Sequence, residues 1–372
     1  MVKSRLWRFL LIFIGLYLFF ALLFLRSFNS NKSEATSTSS SVQARVIDND
    51  NEQAKHIPHH IAARNIEVNE NKQPDSVIEI KKDIRSELEP FMTKGVLGNY
   101  EIKNAIKSIG PGEGGEGVQL KGDEIKLGEQ SVAEYGFNEV ASDKISLDRQ
   151  ARDTRPTDCK YWNYPSVDKL PTASVILVFY DEGWSTLVRT IHSVINTSPK
   201  KLLKDIILVD DFSDQEHITV RLPEYIKQWN GIVKYIRTEK RVGLVEARVI
   251  GARACEGDVV VILDAHCECV TNWLPPLLTR IALNRKTLAV PIVDGIEWNT
   301  LRHNQAYGGT LYRGIWEWGF LYKESELPKR ERNLMKHPTE PYKSPTHAGG
   351  LLAIDKKWFF ELGGYDPDIK VW

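Results

Sequence analysis

DVVVILDAHCECVTNWLPPLL, residues 258–278, is the stretch that decides the fold. Its β-branched apolar run, 259–263, is typical of a strand that is buried on both faces. The run stops at Asp264, Ala265 and His266, and open α/β sheets bind ligands at the carboxyl ends of their strands. Side chains two residues apart in extended chain point the same way, so this carboxylate and imidazole can face one cation. Oxygen and nitrogen ligands suit manganese or a similar divalent ion, which would offset the charge of a diphosphate.

The segments around this strand predict strands and helices in alternation. Strands are predicted at 174–179, 205–209, 233–236, 288–293 and 351–354, and helices at 184–196, 244–255 and 273–285. This order indicates an α/β fold with a mostly parallel sheet that helices cover on both faces. No Gly-x-Gly-x-x-Gly follows the first strand, which disfavours a standard dinucleotide-binding fold.

Further polar groups and glycines follow other predicted strands. Asp210 and Asp211 come after the strand 205–209 and form either a solvated turn or part of the same crevice. Arg241 is either a surface residue or a positive charge for phosphates or a bound sugar. Gly349 and Gly350 form either an ordinary turn or a place where a ligand approaches the backbone closely.

Other patterns have competing interpretations. His266, Cys267 and Cys269 suggest zinc, but structural zinc usually needs two separated pairs of ligands and the sequence has no second pair. His347 is interpreted as structural. The aromatic-rich stretch 307–322 is expected to pack in a core, with an acceptor groove as the alternative.

The N-terminal part predicts a membrane anchor. The apolar segment 6–25 follows basic residues and approaches the roughly 20 residues that span a bilayer. A cleaved signal peptide is the alternative, although its apolar core is usually about 7–15 residues long. We therefore expect a cytoplasmic tail at 1–5, a signal-anchor at 6–25 and a disordered lumenal stem at 26–108. The catalytic domain would occupy 109–372, with the glycine-rich segment 109–117 as a flexible entry.

Composition excludes some classes. Lys plus Arg and Asp plus Glu both number 49, so the chain lacks the uniform basic field that a nucleic-acid partner requires. Four cysteines are too few for a disulfide scaffold but are compatible with one or two bridges in an oxidising compartment.

Several motifs occur in one order: GPGEGG, VFYDEGWSTLVRTIHSVINTSP, IILVDDFSD, GLVEAR, LDAHCECVTNWLPPLL and SPTHAGGLLAIDKKWFFELGGYDP, with the final Trp372. Over about 110–372 the chain resembles the polypeptide N-acetylgalactosaminyltransferases. These are type II enzymes of the Golgi membrane with a GT-A domain, a Rossmann-like nucleotide-sugar-binding fold, and usually a ricin-like lectin domain. EYGFNEVASDKISLDR and EPYKSPTHAGG look most similar to members that prefer acceptors already bearing GalNAc.

The resemblance implies transfer of GalNAc from UDP-GalNAc to Ser or Thr hydroxyls of peptides or glycopeptides, with retention at the anomeric carbon. It implies that Asp264 and His266 bind Mn²⁺. The residues it assigns to the donor are Asp211, Arg241, Ala265 and Trp372, with Gly349 and Gly350 against the sugar.

The chain departs from this pattern where it stops. The resemblance implies that a carboxylate, a third metal-binding His, a substrate-covering loop and a partner for Cys159 would follow Trp372. Tyr180-Asp181 also stands where the family usually has His-Asn. We therefore expect the 372 residues to be incomplete and inactive alone. The alternative is a non-catalytic module that binds a nucleotide-sugar and a metal.

Overall fold

A six-stranded mixed sheet forms the centre of the protein. The computed structural model describes residues 85–101, 109–366 and 368–369. The predicted tail and anchor, most of the stem, and Trp372 lie outside these residues. Among the residues described, no helix is both long enough and apolar enough to cross a membrane.

The strand bounds are β1 Phe91–Met92, β2 Trp162–Asn163, β3 Ala173–Phe179, β4 Leu203–Asp210, β5 Val233–Arg237, β6 Val259–Asp264, β7 Leu288–Ala289, β8 Gly295–Ile296, β9 His303–Asn304, β10 Tyr312–Trp316, β11 Tyr322–Glu326 and β12 Leu352–Asp355. The central sheet has the order β5-β4-β3-β6-β12-β7. Strands β5, β4, β3 and β6 are parallel, and β12 is antiparallel to both of its neighbours. The prediction of an α/β fold with a mostly parallel sheet is confirmed.

The helix bounds are α1 Glu124–Tyr135, α2 Glu139–Asp143, α3 Trp184–Thr197, α4 Leu222–Tyr225, α5 Leu244–Ala254, α6 Leu274–Leu283, α7 Lys329–Arg332 and α8 Lys356–Glu361. Successive side chains of a strand point to opposite faces. Leu177 of β3 accordingly packs in one core with Leu187 and Ile191 of α3. Its neighbour Ile176 packs in a second core with Ala247 of α5. Helices therefore cover both faces of the sheet, as expected.

One strand prediction differs from the structure, and another is confirmed with a direction that the sequence did not specify. The run 288–293 forms a strand only at Leu288–Ala289, and Ile292 and Val293 are exposed. The run at 351–354 does form a strand, but β12 enters the sheet antiparallel between β6 and β7. Some 60 residues separate β7 from β12, so a local pattern carries no information about this pairing.

The glycine-rich segment 109–117 is not the flexible entry that the sequence suggested. Gly112 and Gly115 are buried with φ of 75° and 78°, a left-handed conformation that favours glycine. A Cβ at Gly112 would lie 2.6 Å from a side-chain atom of Ile145, and one at Gly115 would lie 2.9 Å from Cβ of His303. The prediction was wrong because these glycines permit close packing.

The expectation of core packing was also wrong for much of the aromatic stretch 307–322. Strands β10 and β11 form an antiparallel hairpin, and Trp318 and Phe320 at its tip are 100% and 91% exposed. The hairpin is joined to the rest of the fold by a bridge between Gly314 and Thr346.

Two leucine variants, one buried in β3 and one exposed on α1, test this description of the core. Leu177→Ala should lower the free energy of unfolding by about 2–5 kcal/mol, because a fully buried leucine leaves a cavity. Leu127→Ala, on an exposed face of α1, should change it by about 0.5 kcal/mol or less. Urea unfolding followed by circular dichroism measures both values, and equal losses would contradict this description of the core.

Candidate functional site

The carboxyl ends of β3, β4 and β6 meet at one edge of the sheet. Val178 of β3 pairs with Asp264, and the next residue, Phe179, pairs with Asp210 on the opposite side. The backbone N–H of Asp211 donates to the Phe179 carbonyl at 2.9 Å. The structure therefore brings the acidic pair and Asp264 to the same crevice, on either side of β3.

Asp264 lies between an arginine and a glycine. Its side chain is 37% exposed, and Oδ1 accepts a 3.4 Å hydrogen bond from Nη2 of Arg248. A Cβ added at Gly350 would lie 2.8 Å from Oδ2. The absence of a side chain at Gly350 therefore keeps the second carboxylate oxygen accessible from the crevice.

His266 is held by a carboxylate. Its side chain is 55% exposed, and Nδ1 lies 3.2 Å from Oε2 of Glu182, which is the third residue after the end of β3. The hydrogen bond to Glu182 and the negative charges of Glu182 and Asp264 raise the pKa of His266, against the effect of burial. Because Nδ1 engages Glu182, Nε2 is the ring nitrogen left to meet a cation, as in carboxylate–histidine–metal arrangements.

Ala265, between the two candidate ligands, is fixed to helix α3. Its side chain is buried, and its carbonyl accepts a 2.9 Å hydrogen bond from Oγ1 of Thr190. Ser193, one turn further along α3, accepts a 2.9 Å hydrogen bond from the backbone N–H of Cys269. The loop that carries His266 therefore rests on α3.

Asp211 is fully buried and organises the loop that carries Arg241. Its carboxylate accepts hydrogen bonds from the backbone N–H groups of Val242 at 2.8 Å and Gly243 at 3.0 Å, and from Nε of Arg241 at 3.1 Å. The guanidinium of Arg241 stacks 3.4 Å from the ring centroid of Tyr180. Asp211 thus places a positive charge beside the crevice.

Asp210 is also fully buried, and three other residues donate hydrogen bonds to its carboxylate. It accepts hydrogen bonds from the backbone N–H of Ser213 at 2.8 Å, from the Tyr235 hydroxyl at 2.5 Å and from Nη1 of Arg237 at 3.0 Å. Burial and these contacts with Asp210 raise the pKa of Tyr235. The interpretation of the acidic pair as a solvated turn is therefore wrong.

Two residues that contact the candidate ligands were missed by sequence reasoning. Arg248 of α5 is 7% exposed and donates to the carbonyls of Gly349 at 3.0 Å and Gly350 at 3.4 Å, besides its contact with Asp264. The sequence carried little signal for Arg248, because the same helix also carries the charged Glu246 and Arg253. Glu182 had a weaker form of the signal of Asp211, since it lies in the loop after a strand of the parallel sheet but three residues beyond the strand end.

His347 has a structural role, as interpreted from the sequence. Its Nδ1 accepts a 2.9 Å hydrogen bond from the backbone N–H of Gly349, which has φ of 87°. Burial and the positive charge of Arg248 lower the pKa of His347, so the neutral ring that this hydrogen bond requires is favoured. Gly349 and Gly350 thus form a turn that also lines the crevice.

The zinc alternative finds no supporting cluster in the part of the chain that the structure describes, where no three or more His, Cys, Asp or Glu side chains are placed to hold an ion. Burial raises the pKa of Cys267 to about 12 and also raises that of Cys269. Because metals bind the thiolate, these buried thiols are poor ligands. Asp264 and His266 remain as two candidate ligands for a harder cation.

Comparison with known proteins adds independent findings. Residues 174–359 match the model of glycosyl transferase family 2. N-acetylgalactosaminyltransferase 7 of Drosophila melanogaster is 50% identical over 277 residues, which are 74% of this chain and 46% of that protein. Polypeptide N-acetylgalactosaminyltransferase 10 of Mus musculus is 44% identical over 280 residues, which are 74% of this chain and 45% of that protein. The chain therefore spans about half the length of these relatives.

A solved structure is similar in fold as well as in sequence. The crystal structure of GalNAc-T7 with UDP, GalNAc and Mn²⁺ superposes with a TM-score of 0.74 at 46% identity. The match covers 76% of this chain and 54% of that one.

The Glu182–His266 contact predicts a shift in one histidine pKa. Glu182→Gln should lower the pKa of His266 in metal-free protein, because the negatively charged carboxylate that stabilises the protonated ring is lost. In the parent protein the raised pKa stabilises the fold below the unfolded value of 6.5, and this contribution is lost as pH rises through the folded pKa. NMR titration of the histidine rings measures the shift. His347, which Glu182 does not contact, is the internal control, and an unchanged His266 would contradict the assignment.

Proposed function

Because the chain belongs to the polypeptide N-acetylgalactosaminyltransferase family, we propose that it transfers GalNAc from UDP-GalNAc to Ser or Thr hydroxyls, with Mn²⁺ as its cofactor. One observation carries the proposal. Asp264 and His266 lie at the crevice that also receives Arg241, on a scaffold that matches the family 2 region. The similar GalNAc-T7 structure contains UDP, GalNAc and Mn²⁺, the donor and the ion that this site would require.

Asp264 and His266 would hold Mn²⁺. Carboxylate oxygen and imidazole nitrogen suit manganese, and the contact of Glu182 with Nδ1 orients the ring. The bound ion would supply positive charge that stabilises the departing UDP, usually the largest type of catalytic contribution. Arg241, fixed by Asp211, would add a second positive charge on the side of β4.

The chain's own backbone would receive the sugar. Arg248 holds the carbonyls of Gly349 and Gly350, so this turn has a defined position next to Asp264. Without side chains on this turn, a ligand can approach the backbone closely. Ala265 would contact the donor from the loop between the two metal ligands, and Trp372 remains a predicted donor contact. We propose retention at the anomeric carbon as part of the family activity.

The acceptor would approach from the side of the β10–β11 hairpin. The bridge between Gly314 and Thr346 connects the hairpin to the segment that runs into the glycine turn. The exposed rings of Trp316 and Trp318 offer flat apolar surfaces that suit peptide or sugar. A preference for glycopeptides that already bear GalNAc is the finer proposal, supported by the resemblance of 134–149 and 340–350 to members with that preference.

The proposed location is the Golgi membrane, with a single type II anchor at 6–25 and a lumenal catalytic domain. The apolar segment after basic residues supports this proposal, together with the location implied by the family. The donor, the acceptor and the membrane are the proposed partners.

A transfer assay tests the function. The purified chain is incubated with UDP-GalNAc, Mn²⁺ and either a naked Ser/Thr peptide or the same peptide bearing GalNAc, and the products are identified by mass spectrometry. Manganese-dependent addition of GalNAc supports the proposal and would contradict the expectation that these 372 residues are inactive alone. Faster reaction of the glycopeptide supports the finer preference. Binding of Mn²⁺ and UDP without transfer to either acceptor would favour the alternative of a non-catalytic binding module.

The glycine turn predicts a matched pair of variants. Gly350→Ala should weaken Mn²⁺ and UDP binding at least about tenfold, because its Cβ would lie 2.8 Å from Oδ2 of Asp264 and displace the carboxylate. Gly295→Ala meets no atom within 4 Å and should leave both affinities unchanged. Isothermal titration calorimetry measures the two constants, and equal affinities for both variants would exclude Asp264 as a ligand.

A further inference from the structure

We propose that residues 137–149 form a positioning element for His266, which we call the clamp segment. This inference rests on the proposed function. The clamp segment precedes the central sheet and lies outside the family 2 region at 174–359. It contacts the surroundings of His266 at three separate points, through Phe137, Glu139 and Arg149.

The first contact point is the start of helix α3. Glu139 is 7% exposed, and its carboxylate accepts hydrogen bonds from the backbone N–H of Ser185 at 2.7 Å, from the Ser185 hydroxyl at 2.9 Å and from the Thr186 hydroxyl at 2.9 Å. Negative charge at this end of a helix is favourable because the first N–H groups are unpaired and the helix dipole is positive there. Glu139 therefore occupies the position that an external anion would otherwise take.

The start of α3 matters because it directly follows the residue that holds His266. Glu182 lies two residues before Trp184, the first residue of α3. A Cβ at Gly183, between them, would lie 2.5 Å from Oε2 of Glu139, so the Glu139 carboxylate packs directly against this residue. Glu139 thus contacts both the first residues of the helix and the backbone next to Glu182.

The second contact point is the loop after His266. Arg149 and Glu268 are 0% and 5% exposed in their side chains and form a bidentate ion pair, with Nη2 2.6 Å and Nε 2.9 Å from the carboxylate oxygens. Arg149 also donates to the carbonyl of Gly112 at 3.3 Å. Such planar pairing restricts orientation as well as distance. Because Glu268 is two residues from His266, Arg149 restricts the position of the metal-binding loop.

The third contact point is the imidazole itself. The ring centroids of Phe137 and His266 are 6.4 Å apart, with an angle of 54° between their planes. The ring of His266 therefore has Glu182 at Nδ1 and Phe137 nearby, while Arg149 holds its loop. The three contact points of this one short segment therefore lie around a single exposed histidine.

The experiment separates positioning from stability. Arg149→Lys keeps the charge but loses the bidentate geometry, Arg149→Met removes the charge, and Glu139→Gln keeps the size of Glu139 without its charge. Lys144→Gln is the control, because Lys144 lies in the same segment and its side chain forms an exposed ion pair with Glu124. Electron paramagnetic resonance of free Mn²⁺ gives the affinity of each folded variant, and circular dichroism gives its melting temperature.

We expect Arg149→Lys and Glu139→Gln to bind Mn²⁺ about tenfold more weakly, at the lower end of the range for residues that orient metal ligands. Arg149→Met should bind more weakly still, and Lys144→Gln should bind like the parent chain. Lower melting temperatures with unchanged Mn²⁺ affinity would overturn the clamp segment and leave a purely structural role. If the parent chain itself bound no Mn²⁺, the proposed function would fail first, so the two failures are distinguishable.

Discussion

The parallel pairing of β3 with both β4 and β6 is the constraint on which the rest of the structure depends. Because parallel strands end on the same side, this pairing brings the residues after three separate strands to one crevice. These residues are mostly acidic, and the fold places them in two different environments. The buried Asp210 and Asp211 are saturated with hydrogen-bond donors and stabilise loops, which removes the large cost of burying an unpaired charge. Asp264 and His266 remain partly exposed and are therefore the groups available to a ligand.

The sequence predicted the parts of this arrangement that local patterns encode. The run 259–263 is continuous and β-branched because helices cover both faces of β6. The acids at 210, 211 and 264 could be predicted to share a crevice because they lie at or just after the ends of their strands. The position of β12 was predicted without its direction, because its pairing with β6 depends on contacts across about 90 residues. The flexible glycine-rich entry was wrong for a related reason, since Gly115 is required by a distant partner, His303.

Arg248 and Glu182 show a second limit of sequence reasoning. Each acts on a candidate metal ligand, Arg248 on Asp264 and Glu182 on His266, yet neither lies next to that ligand in the sequence. A residue that orients another side chain has no spacing of its own to detect. The clamp segment extends the same argument, because Glu139 acts on Glu182 only through the start of α3. Family resemblance predicts the ligands, whereas the groups that would orient them become visible only in the folded structure.

The charge of the crevice also supports the proposal that a cation binds there. Asp264 and Glu182 are both carboxylates, and the proposed nucleotide diphosphate would bring further negative charge to the same place. Arg241 and Arg248 cannot offset all of this charge, because Arg241 is paired with Asp211 and Arg248 is largely committed to Asp264 and the glycine turn. A divalent ion held by Asp264 and His266 would offset this negative charge. The same ion would repel a protonated His266, so metal binding must release the proton that Glu182 helps the ring to retain. Glu182 would therefore orient the imidazole for the ion, but it would also favour the protonated ring, which cannot bind a metal. Protons and the metal ion would compete for His266, so the affinity for the ion would depend on pH.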